Sequence, residues 1–386
     1  MRLIFLRSAF RVAIIAIPIL LALHYFVTHV LALIHIFYQH PGIAITQREV
    51  ANAYLNGTLQ ESRKAQVPKI IHQIFHNWKD PANETLPSDW EQQRRTCVDN
   101  NPDWEYRLWT SKSSLAFLAT HYPTFLPAYL SYPHPVQRVD ALRYVLLYHY
   151  GGIYLDLDNG CLPSISPSPS PSLSTGNGSN SLDALTYFPL WVTDGGRGAL
   201  SNNILAARPN HPFWGRVVAE LIEGRGATPL GGWMDRLAGF WKRWWCLWGV
   251  LRYVEISWGV GQWFLGGVWD EYHSMLQLGK EAVVRGDNTR EGMVVDEEMS
   301  GGLYRLMMDT RPGMDEWVFF TQGRGGTWDG WDNRLFKEIG DHLWISSMVL
   351  GSLVGLMGWL ARRYWRAQRR KGYRKVKSED MEDRSE

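Results

Sequence analysis

The chain has 386 residues, 45% of them hydrophobic and 20% charged, which suits one catalytic domain with appendages. Its formal net charge of +2 arises at the two ends: residues 1–11 carry three Arg and no acid, and residues 361–386 carry ten Lys or Arg against five Asp or Glu. The part between these ends is net acidic, which argues against a nucleic-acid-binding protein.

The first predicted element is an apolar segment long enough to cross a membrane. Residues 12–38 contain no Asp, Glu, Lys or Arg, and about 20 apolar residues span a hydrocarbon core of about 30 Å. A cleaved signal peptide is the alternative, although its apolar core is usually about 7–15 residues long. We predict a cytoplasmic tail at residues 1–11, an uncleaved anchor at residues 12–38 and a stem at residues 39–66.

Strands and helices then alternate. Residues 67–75 are rich in β-branched side chains and predict a strand that begins after a proline. Residues 88–100 predict a helix in which Ser88 is the N-cap and Glu91 completes a capping box. A turn and a second strand follow at residues 101–109, and this alternation predicts an α/β sheet.

A helix is predicted directly before the most informative stretch of the chain. Val139, Leu142 and Leu146 recur at helical spacing. Asp140 and Arg143 are three residues apart, so they can share one face of that helix.

A short buried strand and two carboxylates come next. The apolar residues of this strand are Ile153, Tyr154, Leu155 and Leu157. Asp156 and Asp158 lie at its end, where a side-chain period of two points both the same way, and open α/β sheets bind ligands beyond such ends. Two hard oxygen ligands leave room for water and a substrate phosphate around Mn²⁺ or Mg²⁺. A solvated acidic strand end is the alternative, because about one Asp-x-Asp is expected by chance in a chain of this length.

Three cysteines occur, and none has metal-ligand spacing: Cys97, Cys161 and Cys246. Their odd number leaves at least one of them outside any disulfide. Cys161 lies three residues after Asp158, so a bond to Cys97 would steady the predicted metal loop.

A low-complexity segment at residues 163–181 interrupts the domain and predicts a surface loop. Three glycosylation sequons begin at Asn56, Asn83 and Asn177. All three lie between the apolar run at residues 12–38 and a second one at residues 343–360, which favours a lumenal domain. Four tryptophans further along share one helical face, which predicts either an interfacial membrane helix or ordinary core packing: Trp241, Trp244, Trp245 and Trp248.

A second apolar run closes the domain. Residues 343–360 are uncharged and just long enough to span a bilayer, and a buried core helix is the alternative. Basic residues flank the outer side of both apolar runs, and cytoplasmic flanks are enriched in Lys and Arg. We therefore predict that the tails at residues 1–11 and 361–386 are cytoplasmic and that residues 67–342 form a lumenal domain.

The run RVDALRYVLLYHYGGIYLDLDNGC at residues 138–161 resembles the signature of fungal glycosyltransferase family 32, the mannosyltransferases related to the initiating enzyme of the N-glycan outer chain. Within that family it is most similar to the branch that mannosylates inositol phosphoceramide. Weaker resemblance extends to residues 67–78, 201–213 and 319–332.

The resemblance implies a GT-A-like, nucleotide-sugar-binding α/β domain at residues 67–342, between N- and C-terminal transmembrane helices. It implies GDP-mannose as the donor and a divalent metal, Mn²⁺ or Mg²⁺, held by Asp156 and Asp158. Asp140 is expected at ribose or sugar hydroxyls. Arg143 is expected at the donor sugar or phosphate, where its fixed fork of donors suits phosphate.

Further donor-binding residues follow from the same resemblance. His72 and Gln73 are expected near the base or ribose, although they can equally well end a core strand. The asparagine pair Asn202 and Asn203 is expected near the donor sugar or the acceptor, and an Asn-rich helix start is the alternative for this segment. The remaining implied donor contacts are Tyr154, Asn203 and Trp328.

One residue departs from the family pattern. Residues 319–332 look like the family's loop that closes over the donor, with Asp329 where His is usual. If that position binds the metal, a carboxylate can replace imidazole. If the His protonates a substrate, Asp329 cannot replace it at neutral pH without a large pKa shift.

The activity implied is retaining, metal-dependent transfer of mannose from GDP-mannose to inositol phosphoceramide in sphingolipid biosynthesis, at the Golgi membrane. Expected partners are the donor, the lipid acceptor and the bilayer; the need for a small membrane regulatory subunit stays open. An N-glycan outer-chain mannosyltransferase is the first alternative. A catalytically silent membrane partner is the second, and the Asp pair and Arg143 argue against it.

Overall fold

A computed structural model describes most of the predicted domain. The described residues are 40–163, 181–196, 199–224, 256–284, 302–308 and 317–322, with His24 and single residues between 342 and 363. The chain divides into two compact units, Met1–Thr327 and Trp328–Glu386. Every strand in the described ranges belongs to the first unit.

A mixed sheet of seven strands forms the centre of this unit, in the order β1-β8-β6-β7-β4-β2-β3. Its strands are β1 (Ile43–Thr46), β2 (Ile70–Phe75), β3 (Glu105–Thr110), β4 (Gly152–Leu155), β6 (Leu190–Asp194), β7 (Leu200–Ala207) and β8 (Tyr304–Met307). β7 runs antiparallel to β4 and β6, and the remaining neighbours are parallel. A separate antiparallel pair consists of β5 (Asn159–Cys161) and β9 (Phe320–Gln322).

Helices cover both faces of the sheet. They are α1 (Gln47–Leu55), α2 (Thr58–Ser62), α3 (Ser88–Asn100), α4 (Ser111–His121), α5 (Leu126–Ser131), α6 (Pro135–Tyr150), α7 (Pro212–Ile222) and α8 (Gln262–Val284). Two apolar cores result, and the residues of β4 alternate between them: Tyr154 packs on the side of α6, while Ile153 and Leu155 pack on the other. The predicted α/β class is confirmed.

α6 is the helix that carries Asp140 and Arg143. It begins at Pro135, whose missing N–H costs nothing at a first helical position. It ends where Gly151 and Gly152 adopt positive φ angles of 67° and 94°. A Cβ atom at Gly152 would lie 2.5 Å from the carbonyl oxygen of Ile70. The glycine pair is therefore what allows the chain to turn from α6 directly into β4.

Two predicted boundaries differ from the structure. The segment 39–66, predicted as a stem, carries β1, α1 and α2, and β1 pairs with β8 at the edge of the sheet. The pattern missed this strand because its partner lies about 260 residues away, from Ile43 to Tyr304.

The predicted N-cap of α3 is also wrong. Ser88 is the first helical residue, and Pro87 is the N-cap without a side-chain hydrogen bond. Glu91 is therefore the fourth helical residue and not the third, which a capping box requires, and its carboxylate binds Arg94 and Arg95 at 2.7 and 2.9 Å instead.

Several predictions fall outside the described residues. These are the anchor at 12–38 apart from His24, most of the run at 343–360, the loop at 163–181 apart from its ends, and the tryptophan stripe at 241–248. No helix in the described ranges is both long enough and apolar enough to cross a bilayer.

A disulfide joins α3 to the strand that follows the paired carboxylates. Cys97 and Cys161 are bonded, with their Cα atoms 4.6 Å apart. The Thr96 hydroxyl accepts from the Cys161 backbone N–H at 2.9 Å, and the Asn100 side chain donates to the Cys161 carbonyl at 2.9 Å. β5 is thus fixed to α3 by one covalent and two hydrogen bonds.

Replacing both Cys97 and Cys161 by Ala is expected to lower the free energy of unfolding by about 2–4 kcal/mol, because the bond restricts a long loop in the unfolded chain. The measurement is thermal unfolding of the purified chain under oxidising conditions, with Cys246→Ala as the matched control. A double variant that melts with the wild type would contradict a stabilising bond.

Candidate active site

The two carboxylates predicted to bind metal lie in a tight turn after β4. The strand ends at Leu155, and the Asn159 N–H donates to the Asp156 carbonyl at 3.0 Å. Leu157 points into the core and is 6% exposed. The prediction that the strand continues through Leu157 is therefore wrong, and the turn, not strand alternation, orients Asp156 and Asp158.

The Gln73 side chain binds the backbone of this turn. Its amide nitrogen is 3.3 Å from the Asp156 carbonyl and 3.5 Å from the Asn159 carbonyl. Its oxygen accepts the Tyr106 hydroxyl at 2.6 Å. On the other side, the Asp156 N–H donates to the Asn203 carbonyl at 2.9 Å. Gln73 and Tyr106 thus fix the turn's backbone, a role that no motif in the sequence pointed to.

Arg143 connects α6 to the turn. Its side chain is 3% exposed, and Nη2 lies 2.5 Å from Oδ1 of Asp140. Nη1 lies 3.3 Å from Oδ1 of Asp156 and also donates to the carbonyl of Asn202. The guanidinium is 4.7 Å from the centre of the Tyr154 ring, and the Tyr154 hydroxyl donates to Asp156 Oδ1 at 2.6 Å. We call these five residues the Arg143 cluster.

Burial sets the electrostatics of the cluster. It raises the pKa of Asp140 to about 6, although Arg143 opposes the rise. It also raises the pKa of Asp156, against the opposing effects of Arg143 and the Tyr154 hydroxyl. Burial alone would lower the pKa of Arg143, but Asp156, Tyr154 and Asp140 outweigh it and raise that pKa. At neutral pH, the Arg143 guanidinium thus faces the carboxyl groups of Asp140 and Asp156, whose negative charge is costly to bury.

The two carboxylates suit a hard divalent cation whose remaining ligands are substrate oxygens and water. Two carboxylates follow β4, and Asp156 is 30% exposed although its neighbours are buried. No group of three or more His, Cys, Asp or Glu residues forms a metal cage in the part of the chain that is described. Mg²⁺ and Mn²⁺ need none, because one or two carboxylates plus phosphate oxygens and waters complete their coordination. Trp328 and Asp329, predicted at the same site, lie outside the described residues.

The asparagine pair of β7 divides between two environments. Asn202 donates to Asp140 Oδ1 and to the Tyr144 hydroxyl, both at 3.2 Å. Asn203 turns to the β-bulge of β6, where its Oδ1 lies 2.8 Å from the Thr193 hydroxyl and accepts the Ile204 N–H at 3.0 Å. The alternative of a helix start is wrong, because this segment is a strand. Of the predicted pair, Asn202 is the member that joins the cluster.

His72 lies in the core of the sheet, without exposure to solvent. Nε2 is 2.9 Å from the Gly151 carbonyl, and Nδ1 accepts the Trp109 indole N–H at 3.1 Å. Burial lowers the pKa of His72 to about 3, so the ring is neutral. Both ring nitrogens are used by the protein in this arrangement, and a nucleotide contact for His72 stays a prediction.

Comparison with known proteins agrees with the site. Residues 87–181 match the family described as "Glycosyltransferase sugar-binding region containing DXD motif". The mannosyl phosphorylinositol ceramide synthase CSH1 of Saccharomyces cerevisiae is 29% identical over 78% of this chain and 62% of its own length. The inositol phosphoceramide mannosyltransferase 3 of Schizosaccharomyces pombe is 40% identical over 43% of this chain and 40% of its own length.

Other matches are shorter or more remote. The initiation-specific alpha-1,6-mannosyltransferase of Saccharomyces cerevisiae is 32% identical over 26% of this chain and 22% of its own length. Among solved structures, the PaToxG glycosyltransferase overlaps 65% of this chain and 90% of its own at 12% identity, with a TM-score of only 0.36.

The chain thus spans less than two thirds of the curated relatives named here. The matches agree with the resemblance seen in residues 138–161, and residues 87–181 match the family of DXD-containing glycosyltransferase sugar-binding regions.

Proposed function

We propose that this chain is a metal-dependent, retaining mannosyltransferase that transfers mannose from GDP-mannose to inositol phosphoceramide in sphingolipid biosynthesis. The observation that carries the proposal is the Arg143 cluster, which joins α6 to the turn bearing Asp156 and Asp158. Similarity to proteins named for inositol phosphoceramide mannosylation supports the donor and acceptor. A GT-A-like arrangement of the α/β domain is part of the same proposal.

The residues have distinct parts in this mechanism. Asp156 and Asp158 would hold Mn²⁺ or Mg²⁺, which stabilises the negative charge that develops on a departing diphosphate. Arg143 orients Asp156 and adds a buried positive charge near the donor phosphates. Asp140 is proposed at the ribose or sugar hydroxyls, and Tyr154 completes the pocket by holding Asp156.

Retention of the anomeric configuration is consistent with the cluster. Asp140 and Asp156 are both paired with Arg143, and the Arg143 cluster contains no further carboxylate that could serve as a dedicated nucleophile. A same-face attack needs none: the acceptor hydroxyl bonds to the mannose anomeric carbon as its bond to phosphate breaks. The departing phosphate oxygen takes the hydroxyl proton.

Two alternatives remain distinct from this proposal. An N-glycan outer-chain mannosyltransferase is favoured by the match to the initiation-specific enzyme, although that match is short. A catalytically silent partner is disfavoured, because such a protein has no need to keep a buried ion-pair cluster beside two carboxylates.

We further propose that the domain lies in the Golgi lumen, anchored by residues 12–38 and 343–360 with both termini in the cytoplasm. Two observations support a lumenal domain. The Cys97–Cys161 bond is typical of oxidising compartments, and the sequon residues Asn56 and Asn83 are both exposed. Trp328 is proposed as a further donor contact and Asp329 as a further metal ligand, as the family resemblance implies.

The activity is tested with the purified full chain, GDP-mannose and inositol phosphoceramide, and mass spectrometry of the lipid product. The wild type should form mannosylated lipid with Mn²⁺ or Mg²⁺ and lose activity in EDTA. Asp156→Asn and Asp158→Asn should each reduce turnover by about 10²–10³-fold, because each removes charge while nearly preserving shape.

Asp103→Asn is the matched control, since Asp103 is an exposed carboxylate paired with Lys69. Full turnover in either site variant would contradict the metal role of the turn. Transfer to a mannan acceptor but not to the lipid would favour the outer-chain alternative.

The lumenal placement predicts N-glycosylation at Asn56 or Asn83 in cells. Endoglycosidase treatment should shift the wild type in electrophoresis, and Asn56→Gln combined with Asn83→Gln should reduce that shift. Asn177 is kept intact as an internal reference.

The second anchor predicts that the C-terminus is cytoplasmic. A tag at the C-terminus should be digested by protease added to sealed vesicles, and a protected tag would contradict the second anchor.

A further inference from the structure

A cleft lies beside the start of β6, the end of β7 and the start of β8, at the strand ends that face away from the candidate active site. It has a volume of about 790 Å³ and is lined by residues 62–66, Tyr187, Pro189, Arg208, Pro209 and Tyr304. β7 runs antiparallel to β4, with Gly152 opposite Ala207. Arg208 therefore follows the end of β7 that lies beside the start of β4, five residues or about 16 Å along the strand from Asn203, which binds the turn at Asp156.

Three cationic side chains line this cleft: Arg63, Lys64 and Arg208. No ion pair or side-chain hydrogen bond to any of them is present within the described ranges. Other arginines are paired there with carboxylates, among them Arg107 with Glu105 and Arg216 with Glu271. Three cations held near one another without counter-charge repel, so an anion would stabilise the arrangement. We call this the basic cleft.

Arg63 is held in place by aromatic rings. Its guanidinium lies 4.9 Å from the centre of the Phe188 ring and 5.1 Å from that of Tyr304, and both rings are buried. Such stacking fixes the plane of the guanidinium while leaving its N–H groups free to donate. A fixed fork of donors matches the oxygens of a phosphate and loses less entropy on binding than a mobile side chain.

The hydroxyl groups of the cleft fit the same ligand. Tyr187 and Tyr304 both line it, and a phenol can donate to a phosphate oxygen. The basic cleft thus combines three cationic side chains with two phenols in its lining.

We propose that the basic cleft is a phosphate-binding site separate from the Asp156–Asp158 turn. Its ligand is a phosphate group carried either by a lipid headgroup or by a soluble molecule. The site does not depend on the proposed transferase activity, because no residue of the Arg143 cluster lines it.

Binding is measured by calorimetric titration of the purified full chain in an uncharged detergent at constant ionic strength. One arm uses inorganic phosphate, and the other uses dioctanoyl phosphatidylinositol in mixed micelles. Arg63→Gln combined with Arg208→Gln should weaken binding of at least one probe by tenfold or more. Arg95→Gln, an exposed arginine on α3, is the matched control and should change it by less than twofold.

Tighter binding of the lipid than of inorganic phosphate supports a headgroup site, and the reverse supports a soluble ligand. Lys64→Gln combined with Arg208→Gln leaves the stacked Arg63 in place and guards against misfolding; it should weaken binding by at least threefold. Unchanged binding in both double variants, or an equal loss in Arg95→Gln, would overturn the proposal.

Discussion

A guanidinium buried in a protein must be neutralised by its neighbours, and Arg143 is neutralised from two directions. Asp140 lies one helical turn away on α6, and Asp156 comes from the turn after β4. Removing one partner of such a buried pair typically costs about 3–5 kcal/mol, because it leaves the other charge uncompensated. The position of Asp156 is therefore tied to the position of α6, and the site cannot form unless helix and strand meet at the right distance.

The glycine pair and the neighbouring strands make that meeting possible. Gly151 and Gly152 let α6 pass into β4 without a loop, so Arg143 and Asp156 are close in space as well as in sequence. Gln73 from β2 and Asn203 from β7 then bind the backbone of the turn. The Cys97–Cys161 bond, three residues after Asp158, adds a covalent link to α3 just beyond the turn.

Local patterns predicted the helix and the shared face of Asp140 and Arg143, since the spacing of the apolar residues and of these two residues belongs to one segment. These local patterns could not predict which strands pair over long distances in the chain. β1 was predicted as stem because only its contact with β8 makes it part of the sheet. Asn202 and Asn203 could not be told apart either, because the register of β7 against β6, with its bulge, decides which one faces α6.

The most direct test of the Arg143 cluster is mannosyl transfer by Arg143→Lys. Lysine keeps the charge but replaces the two separate nitrogens that contact Asp140 and Asp156 by a single ammonium. We expect a folded protein, shown by an intact Cys97–Cys161 bond and resistance to limited proteolysis, whose turnover falls by about 10²-fold or more. Turnover equal to that of the wild type in this folded variant would contradict the account.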